Sequence, residues 1–343
     1  MSVFFIENPL LDIQVQVPDK SLFEKYALPV GGACLCDDKQ QALYPELLAM
    51  PGVEFIPGGS ALNSARATNF VLSNQGQEGQ VAYFGSIGKD NYGEILEKAL
   101  SDVKINANFY KESGVATGTC GVVVHEKERS LCANLSAACK YSTEHLTTNM
   151  DKLNNAKLIY TTAFFITSNF EALIQVGKHA AEKDIPMGYN LSAVFLMMFN
   201  KNEVLEGLEY ADYVWANEDE ADKWAEINAL EDKSRQGVAK SLVTFKKANA
   251  KRGRVAIVTQ GADPVIVARQ VGDEVVLEEY PIEPIAAEQL VDTNGAGDSF
   301  VGGFLSQLAQ GKDLATCVKA GIYLSREVVQ QSGCKMPAQM TFA

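Results

Sequence analysis

The sequence predicts an α/β protein whose mostly parallel sheet is covered by helices on both faces, together with a smaller β-rich domain. Three observations lead to this fold class. Short runs of β-branched and aromatic residues alternate with segments of helical periodicity. The 343 residues suffice for roughly two domains of ~150 residues, or for one large domain with an insertion. Two stretches, residues 13–57 and 115–136, interrupt the alternation.

The main sheet is predicted from five apolar runs that contain no charged residue, as is typical of strands buried on both faces. These runs are residues 2–6, 81–87, 158–165, 213–216 and 255–259. Helices are expected between them, starting at Ser60, Asn91 and Asn217, with two more over residues 295–308 and 314–329. Because helical segments separate the strands, right-handed crossovers and a mostly parallel, doubly wound sheet are expected.

The two interrupting stretches are interpreted as one small lid domain. Residues 13–57 look irregular and are rich in proline and glycine, whereas residues 115–136 look like two strands around a polar turn at 126–129. With no helix between them, those two strands suit an antiparallel ribbon. The alternative is that both stretches are edge hairpins of a single domain. The predicted large domain comprises residues 1–12, 58–114 and 137–343.

The composition excludes several classes of protein. The formal charge of −13 repels phosphate backbones and anionic membranes, so no nucleic-acid or membrane partner is expected. No apolar stretch approaches the ~20 residues that cross a bilayer, and the N-terminal run lacks the basic flank of a signal peptide. The seven cysteines are scattered, with Cys34 and Cys36 the only close pair, which favours reduced thiols and a cytoplasmic protein.

Common cofactor motifs are missing. Gly88-Lys89 lacks the flanking residues of a P-loop, and Gly295-Ala296-Gly297 lacks the third glycine of a dinucleotide fingerprint. The three histidines, which are far apart in the chain, fit no metal pattern. Catalysis through histidine, zinc or a dinucleotide is therefore not expected.

The segment most suggestive of chemistry is residues 291–304, in which a polar turn with two glycines leads into an amphipathic helix. Small residues at Gly295, Ala296 and Gly297 would let backbone N–H groups face an anion at the helix N-terminus. Asp298 follows in the first turn, where its carboxylate could accept a proton from an alcohol. Taken alone, the segment is equally consistent with a capped helix that carries an acidic residue in its first turn.

The segment 292–298 (DTNGAGD) resembles the signature of the ribokinase-like (PfkB) carbohydrate and nucleoside kinases. Other matches occur in the order of that family, and more specific strings resemble its adenosine kinase branch. The family matches are Gly58-Gly59-Ser60 with Asn63, Gly85-x-x-Gly88-x-Asp90-x-x-Gly93, and Asn217-Glu218-x-Glu220; the branch matches include residues 8–13 (NPLLDI), 117–120 (TGTC), 129–131 (RSL), 190–193 (NLSA) and 302–306 (GGFLS). Val194 departs from the branch, in which a proline is expected at this position.

The resemblance implies a ribokinase-like fold and an ATP-dependent, Mg²⁺-requiring phosphorylation of the adenosine 5′-hydroxyl, with adenosine and ATP as the small-molecule partners. It implies Asp298 as the general base, with Asn294 to Gly297 as the anion hole. Arg129 would be a lid arginine that reaches the transferring phosphate; the alternative is a solvated charge in a turn. Another sugar or nucleoside kinase, or a non-catalytic nucleoside-binding protein, remains an alternative for the whole chain. We expect a monomer.

The resemblance also assigns binding residues. The ribose clamp would be Asp12 with Gly59 and Asn63, and an apolar slot would hold adenine, although any one slot residue could simply belong to the core. The predicted nucleoside-binding residues are Asn8, Leu10, Asp12, Leu35, Gly58, Gly59, Ser60, Asn63, Leu131, Ala133, Phe164 and Phe195.

ATP would contact Asn217, Thr259 and Gly261, together with Asn294, Gly295 and Gly297. Glu220 would hold Mg²⁺ through water, unless it only complements the dipole of its helix. Asp292, with the loop 332–334, matches the position at which the family binds a monovalent cation such as K⁺.

Overall fold

The computed structural model describes residues 2–126 and 128–342. Met1, Ala343 and Lys127, the last of which belongs to the predicted turn at 126–129, lie outside the described residues. The strands are β1 (Val3–Ile6), β2 (Leu10–Gln16), β3 (Ala33–Leu35), β4 (Glu54–Gly58), β5 (Val81–Gly88), β6 (Asn106–Glu112), β7 (Thr119–His125), β8 (Glu128–Asn134), β9 (Leu158–Thr162), β10 (Met187–Asn190), β11 (Tyr213–Ala216), β12 (Val255–Gln260), β13 (Asp263–Val271) and β14 (Glu274–Tyr280).

The helices alternate with these strands along most of the chain. They are α1 (Ser21–Lys25), α2 (Leu43–Leu48), α3 (Ser60–Asn74), α4 (Asn91–Asp102), α5 (Thr143–Asn149), α6 (Ile166–Lys183), α7 (Val194–Phe199), α8 (Lys201–Leu208), α9 (Glu218–Ile227), α10 (Arg235–Thr244), α11 (Ala296–Leu308) and α12 (Leu314–Val328). Short 3₁₀ helices cover Ser136–Lys140, Met150–Asn155 and Ala163–Phe165. Among the described residues, no helix is long and apolar enough to cross a bilayer.

The large sheet contains nine strands in the described part of the chain, in the order β14-β13-β12-β11-β10-β9-β1-β5-β6. Neighbours from β12 to β6 are parallel, and β13 and β14 add antiparallel strands at one edge. The five strands predicted from apolar runs are β1, β5, β9, β11 and β12, and the predicted α/β fold class is confirmed.

Strand β1 lies inside this sheet between β9 and β5, and its burial on both faces explains why its sequence shows no alternation. Phe4 and Ile6 pack into the core beneath α6, α8, α9 and α10. Val3 and Phe5 pack into the opposite core, beneath α3, α4, α11 and α12. All four side chains are buried, and each would contribute about 1.5–3 kcal/mol relative to an exposed position.

The helix starts are close to the predicted positions. Asn217 caps α9, as predicted, and the structure adds a capping box between Asn217 and Glu220. Helix α4 is capped by Asp90, one residue before the predicted start. Ser60, predicted to be a cap, is instead the first residue of α3, and Gly59 with φ 100° precedes it. A side chain at Gly59 would place its Cβ 2.4 Å from the carbonyl oxygen of Asn8, so this close approach requires glycine.

A second sheet of five strands, β3-β8-β7-β2-β4, is formed by the described residues outside the large sheet. Strands β7 and β8 are antiparallel, which confirms the ribbon predicted within residues 115–136. Residues 13–57 are more regular than their composition predicts, because they contain α1, α2, β3 and most of β4. This small sheet has its own core with α1 and α2, in which Ile13, Leu22 and Leu43 are buried.

Candidate active site

A cavity of about 800 Å³ opens at the carboxyl ends of the parallel strands, where the small sheet meets the large one. Residues within two positions of the carboxyl ends of five of those strands line it, namely Glu7, Phe164, Asn190, Asn217 and Thr259. Ligands of parallel α/β sheets bind at this edge, because loops diverge there and leave a crevice.

Most of the sequence-predicted site residues lie together in the lining of this cavity. They are Asn8, Leu10, Asp12, Leu35, Gly59, Ser60, Asn63, Leu131, Ala133, Phe164, Phe195, Asn217, Glu220, Thr259, Asn294, Gly295, Gly297 and Asp298. The predicted residues that do not line it are Gly58, Arg129, Gly261, Asp292 and Ala296.

Asp298 is held in place by the first turn of α3. The Ser60 hydroxyl donates to Asp298 Oδ1 (2.7 Å) and the Asn63 amide donates to Oδ2 (3.0 Å). Burial raises the pKa of Asp298 to about 6, and these two hydrogen bonds oppose the rise because they stabilise the carboxylate. The side chain is therefore mainly ionised at neutral pH and has a pKa suited to accepting a proton.

The turn before Asp298 has the geometry of an open helix N-terminus. Gly295 is the N-cap of α11 with φ 73°, and a Cβ there would lie 2.5 Å from the sulfur of Cys334. A Cβ at Gly297 would meet no atom within 4 Å, so this side of the turn faces open space. The first N–H groups of a helix have no acceptor within the helix. An anion in the cavity could therefore approach the backbone at Gly297 and Asp298.

Three more buried carboxyl groups line the cavity. Burial raises the pKa of Asp12 to about 7, that of Glu220 to about 7 and that of Glu7 to about 8. For Asp12, the positive charges of Arg129 and Arg66 oppose this rise. Gly58 makes room for the carboxylate, since a Cβ at this position would lie 2.2 Å from Asp12 Oδ1.

The apolar wall of the cavity comes from both sheets. Phe164 and Phe195 extend from the large-sheet side, with ring centroids 6.2 Å apart and planes inclined by 42°. Leu131 and Ala133 extend from β8, and Leu35, which is 51% exposed, lies opposite Ala133 in the β3–β8 pair. A flat apolar ring system suits a slot of this kind.

Asn8 positions the aromatic wall rather than only lining the cavity. Its side-chain amide donates to the carbonyl oxygen of Phe164 (3.1 Å), and its side-chain oxygen accepts a hydrogen bond from Ser168. This contact holds the 3₁₀ turn that follows β9.

Arg129 and Asp292 form a buried ion pair away from the cavity lining. A guanidinium nitrogen of Arg129 lies 2.6 Å from Asp292 Oδ2, and Arg129 also donates to the Gln14 side chain (2.8 Å). Asp292 accepts backbone hydrogen bonds from Asn294 (2.9 Å) and Gly333 (2.7 Å). These contacts engage both oxygens of Asp292, and a monovalent cation beside it and the loop 332–334 stays a prediction.

The surroundings of Glu220 fit a cation held through water. Glu220 is 3% exposed and lines the cavity, and its carboxylate accepts a hydrogen bond from the Asn217 backbone (3.0 Å). Mg²⁺ in kinases commonly uses one or two carboxylates, several waters and the phosphates of its substrate. Within residues 2–126 and 128–342, no group of three or more His, Cys, Asp or Glu side chains could hold a metal ion.

The sequence reasoning missed several residues at this site, among them Glu7, Phe199 and Arg66. Glu7 lines the cavity, and the sequence feature that could have indicated it is a charged residue directly after an apolar strand. Phe199 lies in the lining with 78% exposure, and no local pattern pointed to it. Arg66 donates to the carbonyl oxygens of Pro57 (2.8 Å) and Cys334 (3.3 Å), linking the glycine turn before α3 with the loop beside Gly295.

The sequence profile described as "pfkB family carbohydrate kinase" matches residues 28–340. The chain belongs to this family. The predictions of a ribokinase-like fold and of a phosphotransferase are thereby confirmed.

Similar proteins cover nearly the whole chain. Adenosine kinase 1 of Arabidopsis thaliana is 40% identical over 98% of this chain and 96% of its own length. Adenosine kinase of Dictyostelium discoideum is 37% identical, over 96% and 95%. The crystal structure of Anopheles gambiae adenosine kinase in complex with P1,P4-di(adenosine-5) tetraphosphate is 38% identical in sequence and has a TM-score of 0.90. The match covers 98% of this chain and 98% of that chain.

A second solved structure gives the same picture. Adenosine kinase from Schistosoma mansoni in complex with 2-fluoroadenosine is 30% identical, with a TM-score of 0.90 over 98% of this chain and 97% of that one. The sequence comparisons and the structure comparisons therefore point to the same group of proteins, and both cover nearly the whole chain.

Proposed function

We propose that this protein transfers the terminal phosphoryl group of ATP to the 5′-hydroxyl of adenosine, giving AMP and ADP, a reaction of purine salvage. The observation that carries the proposal is the hydrogen-bonded Asp298 carboxylate beside the glycine-rich start of α11, within a cavity with an aromatic wall. The similarity to proteins named adenosine kinase supports the choice of nucleoside.

In the proposed reaction, Asp298 accepts the proton of the 5′-hydroxyl while the hydroxyl oxygen forms its bond to the terminal phosphorus of ATP. The bond between that phosphorus and the oxygen of the leaving ADP breaks. Within the predicted anion hole from Asn294 to Gly297, the backbone N–H groups of Gly295 and Gly297 would stabilise the charge on the transferring group. Those of Asn294 and Ala296 already donate to Asp292 and to the Thr293 carbonyl oxygen. A general base typically contributes ~10²–10⁴-fold and one oxyanion donor ~10²–10³-fold, so both are needed.

The nucleoside would lie with its adenine between Phe164, Phe195 and the β3–β8 side of the small sheet. Its ribose hydroxyls would contact Asp12, Gly59 and Asn63. We further propose that residues 13–57 and 115–136 act as a lid that excludes water on closing. The protein is proposed to be monomeric and cytoplasmic.

The nucleotide would approach Asn217, Thr259 and Gly261 on the other side of Asp298. Glu220 would hold Mg²⁺ through water; when bound, this ion neutralises charge on the ATP phosphates. Because its formal charge is −13, the protein as a whole does not attract ATP, and groups inside the site must hold the phosphates. A K⁺ ion beside Asp292 and the loop 332–334 stays a prediction from the family resemblance.

The test is a panel of nucleosides and sugars with ATP and Mg²⁺, scored by ADP release. The proposal expects adenosine to give a kcat/KM well above that of any sugar, and no activity in excess chelator. A preference for a sugar would contradict the nucleoside assignment. ADP release at the same rate with and without an acceptor would contradict the transfer itself.

A further inference from the structure

Glu7 is a buried carboxyl group of the cavity that the proposed reaction does not use. It follows the last residue of β1, is 2% exposed and lines the cavity. Its Oε2 accepts a hydrogen bond from the backbone N–H of Ala61 (3.0 Å), the second residue of α3.

This contact supplies a cap that α3 otherwise lacks. The N-cap of α3 is Gly59, which has no side chain, whereas the first N–H groups of a helix need an acceptor from outside it. Gly59 also packs directly against the Asn8 carbonyl, so the segment after β1 and the start of α3 are in contact along the backbone. Glu7 therefore caps α3 although it lies 54 residues away in the chain.

The capped turn is the one that orients the proposed base. Ser60 and Asn63, on either side of Ala61, donate the two hydrogen bonds to Asp298. A shift of this turn would change both contacts together, and a displacement of ~1 Å in a reacting group can cost ~10²-fold in rate.

The charge state of Glu7 follows from what faces it. The titratable groups are Asp298 on α11, Tyr83 on β5 and Tyr160 on β9, and none of them is cationic. Burial and the charge of Asp298 raise the pKa of Glu7 to about 8, although the hydrogen bond from the Ala61 backbone opposes the rise. At neutral pH the group is therefore mainly uncharged.

We propose that Glu7 is a positioning residue: its carboxyl group caps α3 and thereby holds the turn that orients Asp298. Loss of its proton places a second negative charge beside Asp298 and the incoming phosphates, which limits turnover on the alkaline side. The kinetic part of this inference rests on the proposed function.

The kinetic test compares Glu7→Leu, which removes the acceptor, with Glu7→Gln, which keeps an acceptor and cannot ionise. Glu7→Leu is expected to lower kcat at least about tenfold with a smaller change in KM, and Glu7→Gln to recover most of that loss. Above about pH 8 the kcat of the wild type should fall while that of Glu7→Gln stays level. The proposal would be overturned if kcat fell above about pH 8 in Glu7→Gln as it does in the wild type. It would also be overturned if Glu7→Gln lost as much kcat as Glu7→Leu.

The second test does not depend on enzyme activity. It therefore distinguishes a failure of the inference about Glu7 from a failure of the proposed function. A carboxyl that keeps its proton in the folded state but not in the unfolded state makes stability fall as the pH rises from about 4.5 to about 8. The Tm of Glu7→Gln minus that of the wild type should therefore increase over this window and then level off. Glu94→Gln, the same substitution at an exposed acid in the first turn of α4, is measured alongside as the control.

A constant difference for Glu7→Gln would refute the uncharged form. If the wild type releases no ADP with adenosine while the Tm series behaves as expected, the proposed function fails and the inferred state of Glu7 stands. If ADP release is normal but the Tm series and the alkaline limb do not change, the inference about Glu7 fails alone.

Discussion

The hydroxyl of Ser60 should set the pH at which the enzyme becomes active. Ser60→Ala removes the 2.7 Å hydrogen bond to Asp298 Oδ1. Hydrogen bonds to charged groups contribute about 1.5–3 kcal/mol, and one pKa unit corresponds to about 1.4 kcal/mol. Because this bond stabilises the ionised form, its loss should raise the pKa of Asp298 from about 6 by about 1–2 units.

The sign of the effect follows from the role of a base. A protonated carboxyl cannot accept the proton of the nucleoside hydroxyl, so activity is lost as the pH falls through the pKa of Asp298. The acidic limb of kcat should therefore lie near pH 6 in the wild type and between about 7 and 8 in Ser60→Ala.

The assay is kcat, from ADP release at saturating adenosine and MgATP, measured across the pH range. Ser73→Ala, the same substitution later in α3, is the matched control and should leave the limb in place. An acidic limb that does not move in Ser60→Ala, with folding intact, would refute the assignment of that limb to Asp298.

Three further predictions concern the wall, the turn and the buried ion pair. Phe164→Ala should raise the KM for adenosine about tenfold, because an aromatic pair contributes ~0.5–1.5 kcal/mol beyond the area it buries; an unchanged KM would contradict the slot. Gly295→Ala should destabilise the fold by at least about 1–2 kcal/mol and lower kcat, because of the left-handed φ and the nearby Cys334; a wild-type Tm would contradict this. Arg129→Met should cost about 3–5 kcal/mol in chemical denaturation, and adding Asp292→Asn should recover part of it; strictly additive losses would show that the pair is not coupled.

The central strands were predictable because burial on both faces leaves a pattern within each short segment of sequence. Strand β1 is buried on both faces, so its sequence is a continuous apolar run, and the same holds for β5, β9, β11 and β12. Strand β10 (Met187–Asn190) was not predicted, because four residues with a glycine carry no apolar pattern. The edge strands β13 and β14 mix charged and apolar residues and gave no buried-strand signal.

The structure differs from the prediction at the end of β9 and at the start of α3, and in both places the reason is a contact at the cavity. The apolar run at 158–165 continues past the strand, which ends at Thr162, because Phe164 leaves the sheet and faces the cavity. Ser60 has the residue type of an N-cap, but its hydroxyl donates to Asp298 instead. In both places a contact at the cavity determined the structure more strongly than the local preference did.

The site itself was only partly visible in the sequence. A helix N-terminus with small residues before Asp298 is a local pattern, and it predicted an anion site. The contact between Ser60 and Asp298 joins residues 238 positions apart, and no local pattern could indicate it. The ion pair of Arg129 with Asp292 is likewise a tertiary contact, which the sequence reasoning did not foresee.

The most direct test of the account is the turnover of Asp298→Asn. The variant keeps the side-chain shape beside Ser60 and Asn63 but cannot act as a base, so kcat should fall at least about 10²-fold while adenosine still binds in calorimetry. A folded Asp298→Asn protein with near wild-type kcat would contradict the claim that this carboxylate takes the proton of the acceptor hydroxyl.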